Sequence, residues 1–205
     1  MKKAISIGIQ GFSDLREQDC FFVDKTNFIK EWWGKRDVVT LIMRPRRFGK
    51  TLNMSMLDCF FSNKYANRAD LFEGLSIWQD ETYRKLQGTY PVIFLSFAAV
   101  KAGNLEDAKT QIKQEIARLY WENRNLMKED IFGEDERELY YRTTVKMDDV
   151  TAQDSLRNLS VWMERYYGKK VIILLDEYDT PMQEAYVQGY WDEFTSFVRS
   201  LFNAS

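Results

Sequence analysis

Two segments of this 205-residue chain carry residue types at spacings that could do chemistry. The first, Leu41-Ile42-Met43-Arg44-Pro45-Arg46-Arg47-Phe48-Gly49-Lys50-Thr51, is an apolar run that enters a short loop ending Gly-Lys-Thr and then a helical pattern. A phosphate-cradling loop is built this way: backbone amides at a helix start face the anion, and a lysine reaches it. In the second, the apolar run Val171 to Leu175 ends in Asp176 and Glu177, followed by Tyr178 and Asp179. Two adjacent carboxylates at that place suit a magnesium site beside a base that activates water. Together the segments read as the two halves of a nucleoside-triphosphate site. Each alone is weaker, because the full pattern G-x-x-x-x-G-K-[ST] has a glycine where this chain has Arg44, and acidic residues often end buried strands.

Arg44, Arg46, Arg47 and Lys50 concentrate positive charge at the loop, while the chain as a whole carries a net charge of -2. Phosphates on a nucleotide explain that cluster better than nucleic acid does, since the overall balance attracts no polyanion. There is no histidine, so His-based acid-base catalysis and His-ligated metals are excluded. Cys20 and Cys59 lie far apart, which predicts free thiols in a reducing compartment. No stretch reaches the length of a signal peptide's apolar region or of a membrane span, and a cytoplasmic protein with no membrane partner is expected. An aromatic share of 15% predicts a bulky core.

The elements that must position these residues follow from pattern. Residues 1–37 are read as an amino-terminal lead-in and 38–205 as the core. Asp24 or Thr26 is expected to cap a helix through Phe28, Ile29, Trp32 and Trp33 that ends near Gly34. Val38 to Met43 is predicted as the first core strand, and the pattern from Lys50 through Leu52, Met56 and Phe60 as a helix. Residues 62–90 read as irregular apart from a turn at 71–75 and a short helix over 81–86. Further on, strands are predicted at Tyr90 to Phe97 and Val171 to Leu175. Helices are predicted at 105–122, at 154–167 closed by Gly168, and around Phe194, Phe197, Val198 and Leu201. Residues 123–150, charged and without clear periodicity, read as a surface excursion. Alternating strands and helices argue for an α/β fold whose mainly parallel sheet is covered on both faces.

Several of these blocks, in this order, resemble the AAA-ATPase-like family of bacterial P-loop proteins. They are Gly8-Ile9 through Phe12, Leu15-Arg16-Glu17, Val23-Asp24-Lys25-Thr26, Arg44 through Thr51, Leu71 through Leu75, Tyr90-Pro91-Val92, and Asp176 through Pro181. The family itself carries Arg-Pro-Arg-Arg-Phe-Gly-Lys-Thr, so Arg44 is a family trait. The resemblance implies a P-loop NTPase core of three layers, α/β/α, with ATP and Mg2+ as its ligands. It implies that Lys50 reaches the β and γ phosphates, that Arg46, Arg47, Phe48, Gly49 and Thr51 complete the nucleotide cradle, and that Thr51 and Asp176 hold magnesium. Glu177 would then orient and deprotonate the attacking water. Arg46 and Arg47 either touch phosphate or brace the loop through Asp179 or Glu177.

Two functions stay open: an ATPase whose nucleotide state drives a partner or a downstream domain, and a nucleotide-gated interaction module with negligible turnover. Family members commonly continue into a domain similar to PD-(D/E)XK nucleases, so nucleic acid is expected only through a domain outside this chain. A homo-oligomer or a protein partner is compatible with either function. Because no fourth core strand is visible after Leu175, an incomplete ATPase core prone to self-association is expected.

Overall fold

The computed structural model describes residues 4–5, 8–43 and 48–203. The chain divides into two compact units, residues 1–92 and 93–205.

The first unit is helical and packs through aromatic rings. Its helices are α1 (Phe12–Glu17), α2 (Asn27–Lys35), α3 (Lys50–Phe61) and α4 (Glu81–Leu86), with 3-10 turns at Asn63–Tyr65, Ala69–Phe72 and Ser76–Gln79. Phe12, Phe60, Phe61 and Phe72 are fully buried. Phe12 stacks on Phe72 at 5.1 Å, Phe60 meets Phe72 edge-on at 5.2 Å, and Trp33 stacks on Phe61 at 5.0 Å. Thr26 holds the cap position of α2, yet its side chain accepts no helix amide. Instead the Thr26 N–H and hydroxyl, and the Ser76 N–H and hydroxyl, all donate to the Asp24 carboxylate at 2.6–2.9 Å. Asp24 thus fastens the approach to α2 onto the turn at Ser76–Gln79. The carboxy-terminal end of α3 is laced to residues 88–90, with Gly88 N–H donating to Phe60 O and Tyr90 N–H to Phe61 O.

In the second unit, β1 (Val92–Ser96) leads into α5 (Leu105–Glu122), α6 (Glu134–Arg142) and α7 (Asp149–Tyr167). Then follow β2 (Ile172–Asp176), α8 (Asp179–Gln188) and α9 (Trp191–Asn203). β1 and β2 pair as a parallel two-stranded sheet. Ile93, Leu95 and Phe97 meet Ile112 and Ile116 of α5, Leu156 and Leu159 of α7, and Phe194 and Leu201 of α9 in one apolar cluster. The molecule is a helix-rich α/β protein, and none of its described helices is long and apolar enough to cross a membrane.

Three expectations need correction. Val38 to Met43 forms no strand, and Val38, Val39, Leu41 and Met43 are exposed. β-branched composition makes a strand only where a neighbouring strand supplies a ladder, and none does so here among the described residues. Residues 123–150 are no surface excursion, because a 3-10 turn (Arg124–Lys128) and α6 fold inward. Leu126, Phe132, Tyr140 and Met147 are buried in the core, where Phe132 and Tyr140 pack on Trp162 at 5.1 and 5.6 Å. The stretch after Glu177, for which the sequence pattern predicts no element before the helix around Phe194, contains α8. Its buried positions are only Pro181 and Ala185, too few for a readable stripe.

Candidate functional site

In the first unit, Gly49 has φ +74°, a left-handed conformation that strains any residue with a Cβ, although a Cβ there would meet nothing within 4 Å among the described residues. The turn of the chain is therefore reason enough for the glycine. α3 starts at the next residue, and its first helical bond runs from Asn53 N–H to Gly49 O at 3.0 Å. The first amides of a helix have no acceptor within the helix itself, the cap residue Gly49 brings no side chain to them, and the first turn carries no acidic residue. The positive end of a helix dipole favours an anion at this place. Lys50 and Thr51 stand on this first turn half-buried, and Phe48 is exposed. Arg46 and Arg47 lie outside the described residues, as do Arg44 and Pro45.

In the second unit, β2 delivers Asp176 to its carboxy-terminal end. Its backbone carbonyl accepts the Phe97 N–H at 3.0 Å, which continues the pairing with β1. Its side chain is 1% exposed, and neither carboxylate oxygen has a hydrogen-bond partner among the described residues. Burying an ionisable group without a partner is costly, so such a group marks a place where something else belongs. Two acceptor oxygens held at a strand end are what a hard cation takes.

Glu177 follows with φ +53°. A non-glycine residue in that region costs about 1–2 kcal/mol and persists only where its surroundings enforce it. Here Thr180 does so, its N–H donating to Glu177 O at 3.1 Å and its hydroxyl to Glu177 Oε2 at 3.4 Å. Tyr178 and Met182 pack against the apolar cluster. The strand-to-helix corner is thereby fixed, with Glu177 at its apex. Residue types alone identify Asp176 and Glu177 as candidates, but they give Thr180 no role, and the left-handed corner carries no glycine or asparagine to announce it.

The sequence model of a family described as "Predicted AAA-ATPase" matches residues 6–205. A protein of Azotobacter chroococcum mcd 1, known only as an uncharacterized protein in the vnfD 5' region, is 28% identical over 182 residues, or 88% of this chain. Those residues make up 30% of that relative, so this chain spans less than a third of its length. No solved structure matches.

Proposed function

On the premise that this chain belongs to the AAA-ATPase-like family, we propose that it is a P-loop ATPase module, of three-layer α/β/α type, that binds ATP with magnesium and hydrolyses it to ADP and phosphate. The observation that carries this reading is Asp176, a buried carboxylate at a strand end whose two oxygens have no partner among the described residues. That donor set fits Mg2+, which takes oxygen ligands and neutralises phosphate charge when bound. Asp176 would hold the ion, with the Thr51 hydroxyl as the second expected ligand. Lys50 donates to the β and γ phosphate oxygens, and the amides from Arg47 to Thr51 face the same anion, with Arg46 and Phe48 completing the cradle. Glu177 takes the proton of the water that attacks the γ phosphorus, as the bond from that phosphorus to the bridging oxygen breaks and ADP leaves. The nucleotide state is relayed to a protein partner or to a nuclease-like domain elsewhere in the full protein.

Val38 to Met43, exposed just before the loop, favours a second reading in which bound ATP gates an interaction through that run with negligible turnover. Binding and chemistry measured separately distinguish the two. By calorimetry, Lys50→Ala should weaken Mg-ATP about tenfold to a hundredfold, the value of one charge-assisted contact. Unchanged affinity refutes the nucleotide site. Phosphate release by the wild-type chain that vanishes in Glu177→Gln supports the ATPase, while tight binding without release supports the gate.

A further inference from the structure

Residues 93–205 expose two aromatic surfaces of opposite charge. One is a groove of 740 Å³ where the last turn of α5, the turn at 124–128, the end of α6 and the loop after it meet. Trp121 and Tyr141 stand in its walls 66% and 70% exposed, with Val145 beside them. Arg124 covers one face of Trp121 at 4.1 Å and donates to the Trp121 carbonyl. Neither Arg124 nor Lys128 meets a carboxylate among the described residues, whereas the groove's own Glu122 is held by Arg118 at 2.6 Å. The rim is therefore cationic.

The second surface is the corner between α8 and α9. Tyr186 and Val187 are each 75% exposed, and Trp191 stands edge-on to Tyr186 at 6.1 Å. Glu184, Asp192 and Glu193 surround this corner, and none of them pairs with a cation among the described residues. Helix ends alone account for the charges, since acidic groups favour the start of α9 and basic groups the end of α5. They do not account for four large aromatic rings left in water.

We propose that the α8–α9 corner of one copy inserts into the groove of a second copy of this chain. The carboxylates around the corner meet the Arg124 and Lys128 rim, and Tyr186 and Trp191 fill a cavity of the size that accepts a pair of rings. Single-stranded nucleic acid also stacks on exposed rings, but this groove offers only two cations to a backbone that carries a phosphate at every nucleotide. Corner and groove are different surfaces, so the contact is heterologous. Copies add head to tail and close into a ring only if the rotation between them allows it.

Sedimentation of the 205-residue chain tests this. The wild type should grow in mass with concentration. A corner variant (Tyr186→Ala with Trp191→Ala) and a groove variant (Trp121→Ala with Tyr141→Ala) should each associate at least about tenfold more weakly. Because these side chains are exposed, both variants should keep the wild-type circular dichroism. Mixed together, the corner variant still offers its groove and the groove variant its corner, so the mixture should form a one-to-one pair and nothing larger. Charge reversal at Arg124→Glu with Lys128→Glu should abolish that variant's self-association, as should Asp192→Lys with Glu193→Lys, and a single chain carrying all four changes should self-associate again. A wild type that is monomeric at roughly 100 µM overturns the proposal, and so does a mixture that forms no pair. Binding of a labelled single-stranded oligonucleotide that the groove variant loses, without self-association, assigns the groove to nucleic acid instead.

Discussion

Asp176 keeps both carboxylate oxygens buried and without a partner among the described residues, and this has consequences of opposite sign for stability and for ligand binding. On the proposed reading Asp176 is a cation ligand whose burial weakens the magnesium-free protein, so Asp176→Asn should raise stability without magnesium by about 1 kcal/mol or more. The same change should remove the magnesium dependence of ATP binding. Urea midpoints of the two proteins in chelator, with ATP titrations at varied magnesium, check both halves. A less stable Asp176→Asn would mean that the charge is already paired. Glu177 behaves differently, because its cost is conformational. Glu177→Gln keeps the backbone and the Thr180 contact, so stability and Mg-ATP binding should hold while phosphate release falls steeply. The sequence displayed the identity of these two residues and their place after an apolar run. It did not display that one is orphaned or that the other is left-handed, since both depend on what surrounds the corner.

Elements were most readable where a cap and a one-sided pattern agree. The predicted bounds of α4 and α5 match the observed ones because Asp80 accepts the Thr82 N–H and Asn104 the Asp107 N–H at their starts. α6 escaped notice because among its nine residues only Tyr140 is buried. It is held instead by Glu136, which accepts from Gly133 N–H at 2.9 Å, Trp162 Nε1 at 3.1 Å and Arg165 at 2.8 Å. Polar staples of this kind leave no periodicity. The connection from α4 to β1 turns at Gly88, which has φ +68° and where an added Cβ would fall 2.4 Å from Ala66 Cα. Gly88→Ala therefore combines backbone strain with a clash against main chain and should cost about 3 kcal/mol in urea denaturation. Gly49→Ala meets strain but no neighbour among the described residues and should cost only about 1 kcal/mol, so any larger effect on ATP affinity at Gly49 reports on the loop itself. Equal stability losses at the two glycines would contradict this account.

For the whole molecule, the high aromatic content signalled bulk but not location. Tyr120 is buried while its neighbour Trp121 is exposed, because successive residues of α5 point about 100° apart. The described carboxylates with resolved shifts share one behaviour. Donors from Arg165 and Gly133 hold Glu136 down to about 2, and at Asp24 the donors from Ser76 and Thr26 outweigh burial, which alone would raise it, and bring it to about 2. Asp70, Asp80, Asp148 and Asp149 are lowered as well. A carboxyl with a depressed folded-state pKa contributes stability that is fully present above its unfolded value, here about 4, and is lost as pH falls through the folded value. In that interval the unfolded chain binds more protons than the folded one. The protein should therefore hold its stability down to about pH 4.5 and lose it progressively towards pH 2. Glu136→Gln and Asp24→Asn should each be less stable than wild type at pH 7 and show a shallower slope between pH 4 and 2, so that the difference narrows in acid. Urea midpoints across pH 7 to 2.5 measure this. A wild type whose midpoint is flat through that range, or variants whose deficit stays constant in acid, would show that these two carboxylates do not carry the folded state's charge-assisted bonds.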